Sequence, residues 1–536
     1  MAIRGSYFIG VDVGTGSARA GIFNRDGDML ASARHDIGLW REHGILAEQS
    51  SSDIWRAVCA ATREALALSG IRADEVAGLG FDATCSLVVL GEGGAPLAVG
   101  SSEDPERNII VWMDHRATEQ AQRINATGHP VLNYVGGSIS PEMETPKLLW
   151  LKENRPHIFD AAWQFFDLTD FLTWKATDDL ARSTCTVTCK WTYLAHEERW
   201  DPSYFDAVGL GVLADESFSR IGQNMRTPGT PLGQGLTPQA AAELGLSPGT
   251  PVGAGLIDAH AGGIGTVGIG GDPTVNLGYI FGTSSCTMAT TAQPVFVPGV
   301  WGPYFSAMVP GVWLNEGGQS AAGAAIDQLI SFHPASEQAR RNAEAEHLSV
   351  GNYLANLASG SAKGADPIAL AKGLHVVPEF LGNRAPLADP FARAVISGLG
   401  MERDMESLVA LYVAGLAGIG YGLRQIIETQ QQAGIDIENV VLSGGAGQHD
   451  LVRHMLANAC DKPIVVTKAE EPVLLGAAIL GAVASRSFPT VASAMAQLSR
   501  IGSTIPPTGG KVARIHQTRY QGFKQLQSLG RELQEI

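Results

Sequence analysis

The sequence predicts an α/β protein made of two related domains with a cleft between them. The chain has 536 residues, more than one compact core usually holds. An apolar strand, a glycine corner and a second strand open the chain, and the same pattern recurs at residues 275–290, in VNLGYIFGTSSCTMAT. Proline and glycine are frequent over 228–251, so we place the domain boundary shortly afterwards. We expect a first domain over 1–271, a second over 272–490 and a helical surface tail over 491–536.

The first unit reads FIGVDVGTGSARAGIF and predicts a β-hairpin. The apolar run ends at the corner of residues 14–17, and the second strand runs toward Asp26-Gly27, a frequent tight-turn dipeptide. A single carboxylate, Asp12, lies in the first strand. A buried unpaired charge is costly, so a cation or a strong donor is expected beside it. The second unit has Ile280 at the matching position, so only one hairpin carries a carboxylate.

Later segments predict the remaining core elements. The strand VGAGLI ends just before Asp258, a helix extends from about Met405 to Gln432, and a strand over 440–444 precedes another helix. Four glycines interrupt the apolar run from Leu408 to Leu423, which favours a buried, closely packed helix over a membrane span. Glycine makes up 64 of the 536 residues and clusters near apolar runs, which indicates close backbone approach.

Composition excludes several functional classes. The net charge of -16 argues against nonspecific binding to nucleic acid or to acidic membranes. The six cysteines include no CxxC pair, which favours free buried thiols in a reducing cytoplasm over a zinc site or disulfides. The first residues lack the pattern of a secretory signal, so we expect a cytoplasmic protein.

Two glycine corners are candidates for binding phosphate. The chain has no GxxxxGK[ST] motif, and the spacing of its first glycines does not fit a Rossmann fingerprint. Backbone N–H groups and hydroxyls of glycine corners can bind phosphate instead. Each corner alone could equally be a plain hairpin turn, but two corners together with Asp12 favour a nucleotide site.

Several motifs together resemble the FGGY carbohydrate kinases, in the superfamily of actin, hexokinase and the heat-shock chaperone ATPases. The resemblance extends from about residue 7 to 485, and its motifs are DVGTGS (12–17), PEMETPKLLWLKENRP (141–156), GLIDAHAGG (255–263), FGTSS (281–285) and LSGGAGQHD (442–450). GLGFDATCSLVVL, VWMDHRA, CKWTY and WLNEGGQSAAG look most like the ribulokinase branch, the D-ribulokinases in particular. The resemblance implies two actin-like, ribonuclease-H-like ATPase domains that bind ATP and Mg²⁺.

The resemblance also implies roles for individual residues. Asp12 would hold hydrated Mg²⁺ beside the ATP phosphates, although it could instead cap the N–H groups of its own corner. Asp258 would be the catalytic base that accepts the proton of the sugar hydroxyl, with His260 as a rival base. The nucleotide would contact Gly14, Thr15, Ser17, Gly282, Thr283, Ser284, Gly444, Gly445 and Gln448, the last three in an adenosine loop that could also be an ordinary βα turn.

The sugar would be bound by Thr84, Cys85, Asp114, Lys190 and Glu316, whose donors and acceptors suit a polyhydroxylated substrate. Salt bridging is the alternative for the charged residues, and strand packing is the alternative for Thr84 and Cys85. The implied reaction is ATP-dependent phosphorylation of a ketopentose, D-ribulose first, with L-ribulose, ribitol and D-xylulose as alternatives. A non-catalytic actin-like switch is the rival from another class. We expect no nucleic-acid or membrane partner, and a homodimer is an open alternative.

Overall fold

The computed structural model describes residues 5–42, 44–362, 364 and 366–534, and it contains two large mixed β-sheets flanked by helices, together with a five-stranded antiparallel sheet. The strands, in chain order, are β1 (Tyr7–Val13), β2 (Ser17–Phe23), β3 (Met29–Asp36), β4 (Trp40–Glu42), β5 (Leu46–Gln49), β6 (Val76–Ala83), β7 (Leu87–Leu90), β8 (Ile109–Ile110), β9 (Gln164–Asp167), β10 (Arg182–Ser183), β11 (Met225–Arg226), β12 (Val252–Ile257), β13 (Asn276–Phe281), β14 (Ser285–Thr291), β15 (Trp301–Phe305), β16 (Trp313–Gln319), β17 (His375–Val377), β18 (Val395–Ser397), β19 (Asn439–Ser443), β20 (Ile464–Thr467) and β21 (Ile501–Ile505).

Helices connect and cover these strands. They are α1 (Ser51–Ser69), α2 (Thr118–Ala126), α3 (Glu144–Asn154), α4 (Pro156–Ala161), α5 (Leu168–Thr177), α6 (Thr184–Trp191), α7 (Pro202–Ala207), α8 (Gly211–Asp215), α9 (Pro238–Leu244), α10 (Asp258–Ile264), α11 (Gly323–Phe332), α12 (Ser336–Ala345), α13 (Val350–Ala362), α14 (Met405–Gln432), α15 (Asp450–Cys460), α16 (Pro472–Ala484), α17 (Val491–Leu498) and α18 (Gly510–Glu532). Short 3-10 helices lie at Ala73–Glu75, Glu92–Gly94, Pro130–Val135, Pro367–Ala371 and Gly445–Gly447.

The two large sheets repeat one topology. The first sheet has the order β3-β2-β1-β6-β12, and the second contains the run β16-β14-β13-β19-β20. In each sheet an antiparallel hairpin, β1–β2 or β13–β14, continues into parallel strands on the other side of its first strand. The predicted pair of strand–corner–strand units is therefore confirmed, and each unit lies at the centre of its own sheet.

Glycines allow helix α16 to lie directly on the first sheet. A Cβ atom on Gly10 of β1 would lie 1.9 Å from the carbonyl oxygen of Leu474, and one on Gly80 of β6 would lie 2.0 Å from that of Ala477. Any side chain at these positions would overlap the helix backbone. The high glycine content thus serves close packing, and a helix from late in the chain completes the core of the first lobe.

The second lobe contains the longest helix and most of the tail. Helix α14 is long and apolar enough to span a membrane, but most of it is buried among the other elements of this lobe. The tail differs from the expected helical surface element. Strand β21 pairs with β20 at the sheet edge, and α18 buries Tyr520 and Phe523 against the lobe's core. The polar composition of the tail did not indicate that these two aromatic side chains of α18 are buried.

Candidate active site

Three carboxylates meet at one edge of the first sheet. Asp12 of β1 and Asp82 of β6 are partners in the parallel register, and Asp258 comes directly after β12 on the other side of β6. The carboxyl ends of parallel strands lie at the same sheet edge, so the three side chains are brought together. The chain therefore concentrates negative charge beside the first glycine corner.

Asp12 already has a cation beside it. Arg19 lies opposite Asp12 in the hairpin and donates from Nε to its Oδ2 at 2.7 Å. The same guanidinium donates from Nη1 to Glu471, just before α16, at 2.9 Å. The chain itself thus provides the cationic partner that the sequence led us to expect beside Asp12. The compensating charge need not come from a bound nucleotide and its metal ion alone.

Asp82 is a member of this cluster that the sequence analysis missed. Its side chain is fully buried, and neither carboxylate oxygen has a hydrogen-bond partner within the described residues. Burial first, and then the charge of Asp12, raise its pKa well above the ordinary value. The sequence could have indicated Asp82, because it lies one residue before the end of β6, a strand that is parallel to β1.

The donor set at this edge fits magnesium. Oδ1 of Asp12 makes no hydrogen bond to the described chain, and both oxygens of Asp82 are unpartnered. Mg²⁺ prefers oxygen ligands and is commonly held by one or two carboxylates together with phosphate oxygens and water.

Asp258 is the third carboxylate at this edge. It is the first residue of α10, keeps partial exposure, and accepts a hydrogen bond at Oδ1 from the Ala259 N–H at 2.7 Å. Burial, and then the charge of Asp12, raise its pKa to about 6, so the carboxylate is ionised at neutral pH yet is a stronger base than an ordinary aspartate.

The rival base, His260, is engaged on both ring nitrogens. Nδ1 lies 3.0 Å from Cys185 Sγ, and Nε2 lies 3.3 Å from Glu316 Oε2. Burial disfavours its charged form, but the neighbouring Cys185 and Glu316 raise its pKa to about 10. With both ring nitrogens engaged and its pKa raised, His260 is less suited than Asp258 to accept a proton at neutral pH.

Lys190, on α6, and Glu316, on β16, influence each other's charge. Lys190, at the end of α6, is partly exposed and donates no hydrogen bond to any described residue. Burial opposes its charge, but Cys85 and then Glu316 raise its pKa well above the ordinary value. Burial would raise the pKa of Glu316, but His260 and Lys190 hold it at about 2. The two residues offer a cationic donor with no acceptor among the described residues and an anionic acceptor that is held by His260.

Further polar groups around this pair were missed by the sequence analysis. The Arg384 guanidinium and the Lys190 ammonium lie 5.5 and 5.9 Å from the ring centre of Trp301, which is consistent with cation–π contacts. Burial opposes the charge of Glu142, but the hydrogen bond with His115, and then the charges of Lys190 and Arg384, lower its pKa. Glu142 stands within the quoted PEMETPK motif, but nothing in the sequence signalled Arg384.

Thr84 and Cys85 lie just beyond β6, next to the carboxylates. The Thr84 hydroxyl is 3.2 Å from that of Ser86, and both side chains are buried. Burial raises the pKa of Cys85 to about 12, so it is a neutral thiol at neutral pH. These contacts are compatible with either strand packing or a pocket wall.

Asp114, expected to bind the sugar, forms an ion pair with Arg116, which is the alternative that the sequence left open. It is fully buried, and its oxygens accept hydrogen bonds from Arg116 Nε at 2.9 Å and from the Ala47 N–H at 2.7 Å. Arg116 also donates from Nη2 to Glu48 Oε1 at 2.8 Å. Each oxygen of Asp114 is engaged inside the first lobe, so the motif VWMDHRA contributes a structural ion-pair network.

The first glycine corner is held rigidly. Gly14 N–H donates to the Ser17 carbonyl at 3.0 Å, and the Trp112 indole N–H donates to the Thr15 hydroxyl at 3.0 Å. The N–H groups of Thr15 and Gly16 donate to no acceptor in the described chain. They remain available to an anion, and the Asp12 carboxylate lies at the base of the same hairpin.

The second corner lies beside the expected adenosine loop. Gly282 N–H donates to the Ser284 carbonyl at 2.9 Å, and the Thr283 carbonyl is held by N–H groups at the start of α11. Strand β19 runs parallel to β13, with Ser443 opposite Ile280. Gly444 has φ +94°, and a Cβ there would lie 2.4 Å from the Phe281 oxygen, so the loop requires glycine. Gly445 and Gln448 are exposed beside it.

The repeated sheets, their two glycine corners and the polar groups between them correspond to the class of sugar kinases with a two-lobed ATPase fold. The chain belongs to the FGGY family of carbohydrate kinases. Its residues 7–265 match the model of the family's N-terminal domain, and residues 277–485 match that of the C-terminal domain. Sugar phosphorylation with ATP as the donor is the activity that this family membership supports.

Individual relatives agree with this assignment. The chain is 47% identical to the human FGGY carbohydrate kinase domain-containing protein, over 97% of this chain and 96% of the relative. It is 37% identical to a D-ribulokinase of Saccharomyces cerevisiae, over 90% and 72% of the two chains. A xylulose kinase structure from Rhodospirillum rubrum superposes with a TM-score of 0.82 at 21% identity, covering 99% of this chain and all of the other, which supports the fold.

Proposed function

We propose that this kinase transfers the γ-phosphoryl group of ATP to a ketopentose, converting D-ribulose into D-ribulose 5-phosphate. The feature that supports the reaction class is Asp258, a carboxylate whose pKa burial and then the charge of Asp12 raise to about 6, at the sheet edge that also carries Asp12 and Asp82. The observation that favours D-ribulose is the similarity to the yeast D-ribulokinase. The sugar pair Lys190 and Glu316 argues against a switch that only hydrolyses nucleotide, because such a switch needs no sugar-binding groups.

The residues would divide the reaction among them. Asp258 accepts the proton of the attacking sugar hydroxyl, while Lys190 donates to sugar oxygens and Glu316 accepts from sugar hydroxyls. The N–H groups of the two corners bind the phosphates. Asp12 and Asp82 would hold Mg²⁺, which neutralises phosphate charge when it is bound. Closure of the lobes around both substrates would exclude water, so that hydrolysis does not compete.

A coupled assay of ADP release tests this proposal. The purified enzyme would be supplied with Mg-ATP and, in separate reactions, D-ribulose, L-ribulose, ribitol, D-xylulose or no sugar, with the phosphorylated product identified by NMR. We expect the highest kcat/KM with D-ribulose and little ADP release without sugar. A clear preference for another sugar would replace the substrate assignment. ADP release that is independent of sugar would favour the actin-like switch.

A further inference from the structure

Two cysteines and a histidine form a compact buried cluster behind Asp258. Cys185 and Cys189 are one turn apart on the same face of α6, and His260 faces them from α10. The two sulfur atoms and one ring nitrogen all lie within 4.8 Å of one another. All three side chains are at most 1% exposed, so the three donor atoms converge without competition from water.

The spacing is suitable for a soft metal ion. Zinc–sulfur bonds are about 2.3 Å and zinc–nitrogen bonds about 2.0 Å, so ligand atoms of one ion lie roughly 3.3–3.8 Å apart. Cys185 Sγ and His260 Nδ1 are 3.0 Å apart, and small side-chain rotations would bring all three donors to these separations. Two thiolates and an imidazole select zinc or copper(I) over magnesium, which prefers oxygen.

The surroundings match those of a metal-bound histidine. His260 presents Nδ1 to the cysteines, while its Nε2 lies 3.3 Å from Glu316 Oε2. A carboxylate on the second nitrogen fixes the ring orientation in many metal sites and strengthens the ligand. The Ile257 N–H donates to Cys185 Sγ at 3.4 Å, which supports negative charge on that sulfur. The Tyr304 hydroxyl is buried and has no hydrogen-bond partner within the described residues. It lies close to this cluster, since burial and then the neighbouring Cys189 raise the pKa of Tyr304.

We propose that Cys185, Cys189 and His260 bind one thiophilic d¹⁰ metal ion, with zinc as the probe ion, separately from the magnesium site. Binding of Zn²⁺ displaces two protons, one shared by Cys185 and His260 and one from the Cys189 thiol, so the net charge of the cluster is unchanged. The ion forms two Zn–S bonds and one Zn–N bond. Because His260 also holds Glu316, the site is linked mechanically to the sugar pocket.

Metal binding to the full-length protein tests the proposal. The reduced protein would be stripped with a chelator, titrated with Zn²⁺ in the presence of excess Mg²⁺, and analysed for metal content. We expect one zinc per chain, and Co²⁺ substitution should give an intense thiolate-to-cobalt charge-transfer band. Titration with Cu⁺ under anaerobic conditions distinguishes the two soft ions. Absence of both stoichiometric soft-metal binding and the cobalt band in the wild-type protein would overturn the proposal, whatever the variants do.

Variants locate the site. Cys185→Ser and Cys189→Ser should each lose stoichiometric zinc and the cobalt band, whereas Cys59→Ser, which alters a buried thiol on α1, should retain both. Glu316→Gln should weaken zinc binding about 10–100-fold as the partner of His260. Circular dichroism would confirm that each variant is folded. Unchanged zinc affinity in a folded Cys185→Ser/Cys189→Ser double variant would refute the assignment of these ligands.

Discussion

Replacing Asp258 by asparagine tests the assignment of the base most directly. Asparagine can keep the hydrogen bond from the Ala259 N–H at 2.7 Å, but its amide cannot accept the proton of the sugar hydroxyl. A well-positioned general base contributes about 10²–10⁴-fold to the rate, so kcat should fall by about 10²-fold or more. ATP affinity should stay nearly unchanged, because the nucleotide contacts are expected at the glycine corners.

The pH dependence of the wild-type enzyme is a second test of Asp258 as the base. Burial and the charge of Asp12 raise the pKa of Asp258 to about 6. A base acts in its deprotonated form, so kcat/KM for the sugar should be highest above this pKa. It should be about half-maximal at pH 6 and about one-tenth at pH 5, as expected for a single titrating base. An aspartate with an ordinary pKa would keep nearly full activity at pH 6.

Steady-state kinetics between pH 5 and about 8.5, with saturating Mg-ATP, would measure both effects. Asp160→Asn, which alters an exposed carboxylate on α4, is the matched control and should behave like the wild-type enzyme. Thermal melting would exclude misfolding of the Asp258 variant. Turnover near normal in that variant, or the same acid limb in its residual activity, would remove Asp258 from the role of base.

Three further predictions concern packing and binding. Gly80→Ala should destabilise the fold by about 1–3 kcal/mol in denaturant titrations, because its Cβ meets the backbone of α16, whereas Gly351→Ala, with open space around it, should be neutral or stabilising. Lys190→Met should lower kcat/KM for the sugar about 10–100-fold without changing KM for ATP, since a charged hydrogen bond contributes about 1.5–3 kcal/mol. Lys511→Met, at an exposed position, is the control. An equal rise in KM for ATP would contradict a role of Lys190 in sugar binding. Asp114→Asn should lower the free energy of unfolding by about 3–5 kcal/mol with an unchanged KM for sugar in the folded fraction, because it breaks a buried ion-pair network; a selective rise in that KM would restore Asp114 to the sugar site.

Much of the fold could be predicted because its signals are local. Each glycine hairpin shows its two strands and its corner within some fifteen residues, and α14 was predicted with its observed ends. The position of Asp258 also followed from one strand and the residue after it. The tail was harder, because β21 is exposed on most of its length and is a strand only through its pairing with β20. Pairing between distant segments leaves little trace in the sequence of either segment.

The site shows the same limit at the level of side chains. Asp114 and Lys190 were both predicted to bind the sugar, with salt bridging as the alternative; in the structure Asp114 pairs with Arg116 inside the lobe, and Lys190 has no acceptor among the described residues. Only the three-dimensional arrangement separates an ion pair that is already satisfied from a group that remains free to bind a substrate. The place of Arg384 near these groups could not be predicted for a related reason, because its contact with Trp301 joins residues more than eighty positions apart.

The late helix α16 links the chemistry of the first lobe to the second half of the chain. It packs on β1 and β6 through strand glycines, and the residue before it, Glu471, binds Arg19, which in turn binds Asp12. The Asp12 hairpin is therefore positioned by a segment that follows the whole second sheet in sequence. Because these glycine contacts tolerate no added atoms, the hairpin and α16 pack backbone against backbone. A fragment that ends at the predicted domain boundary would consequently lack both the packing surface and the ion pair that orient Asp12.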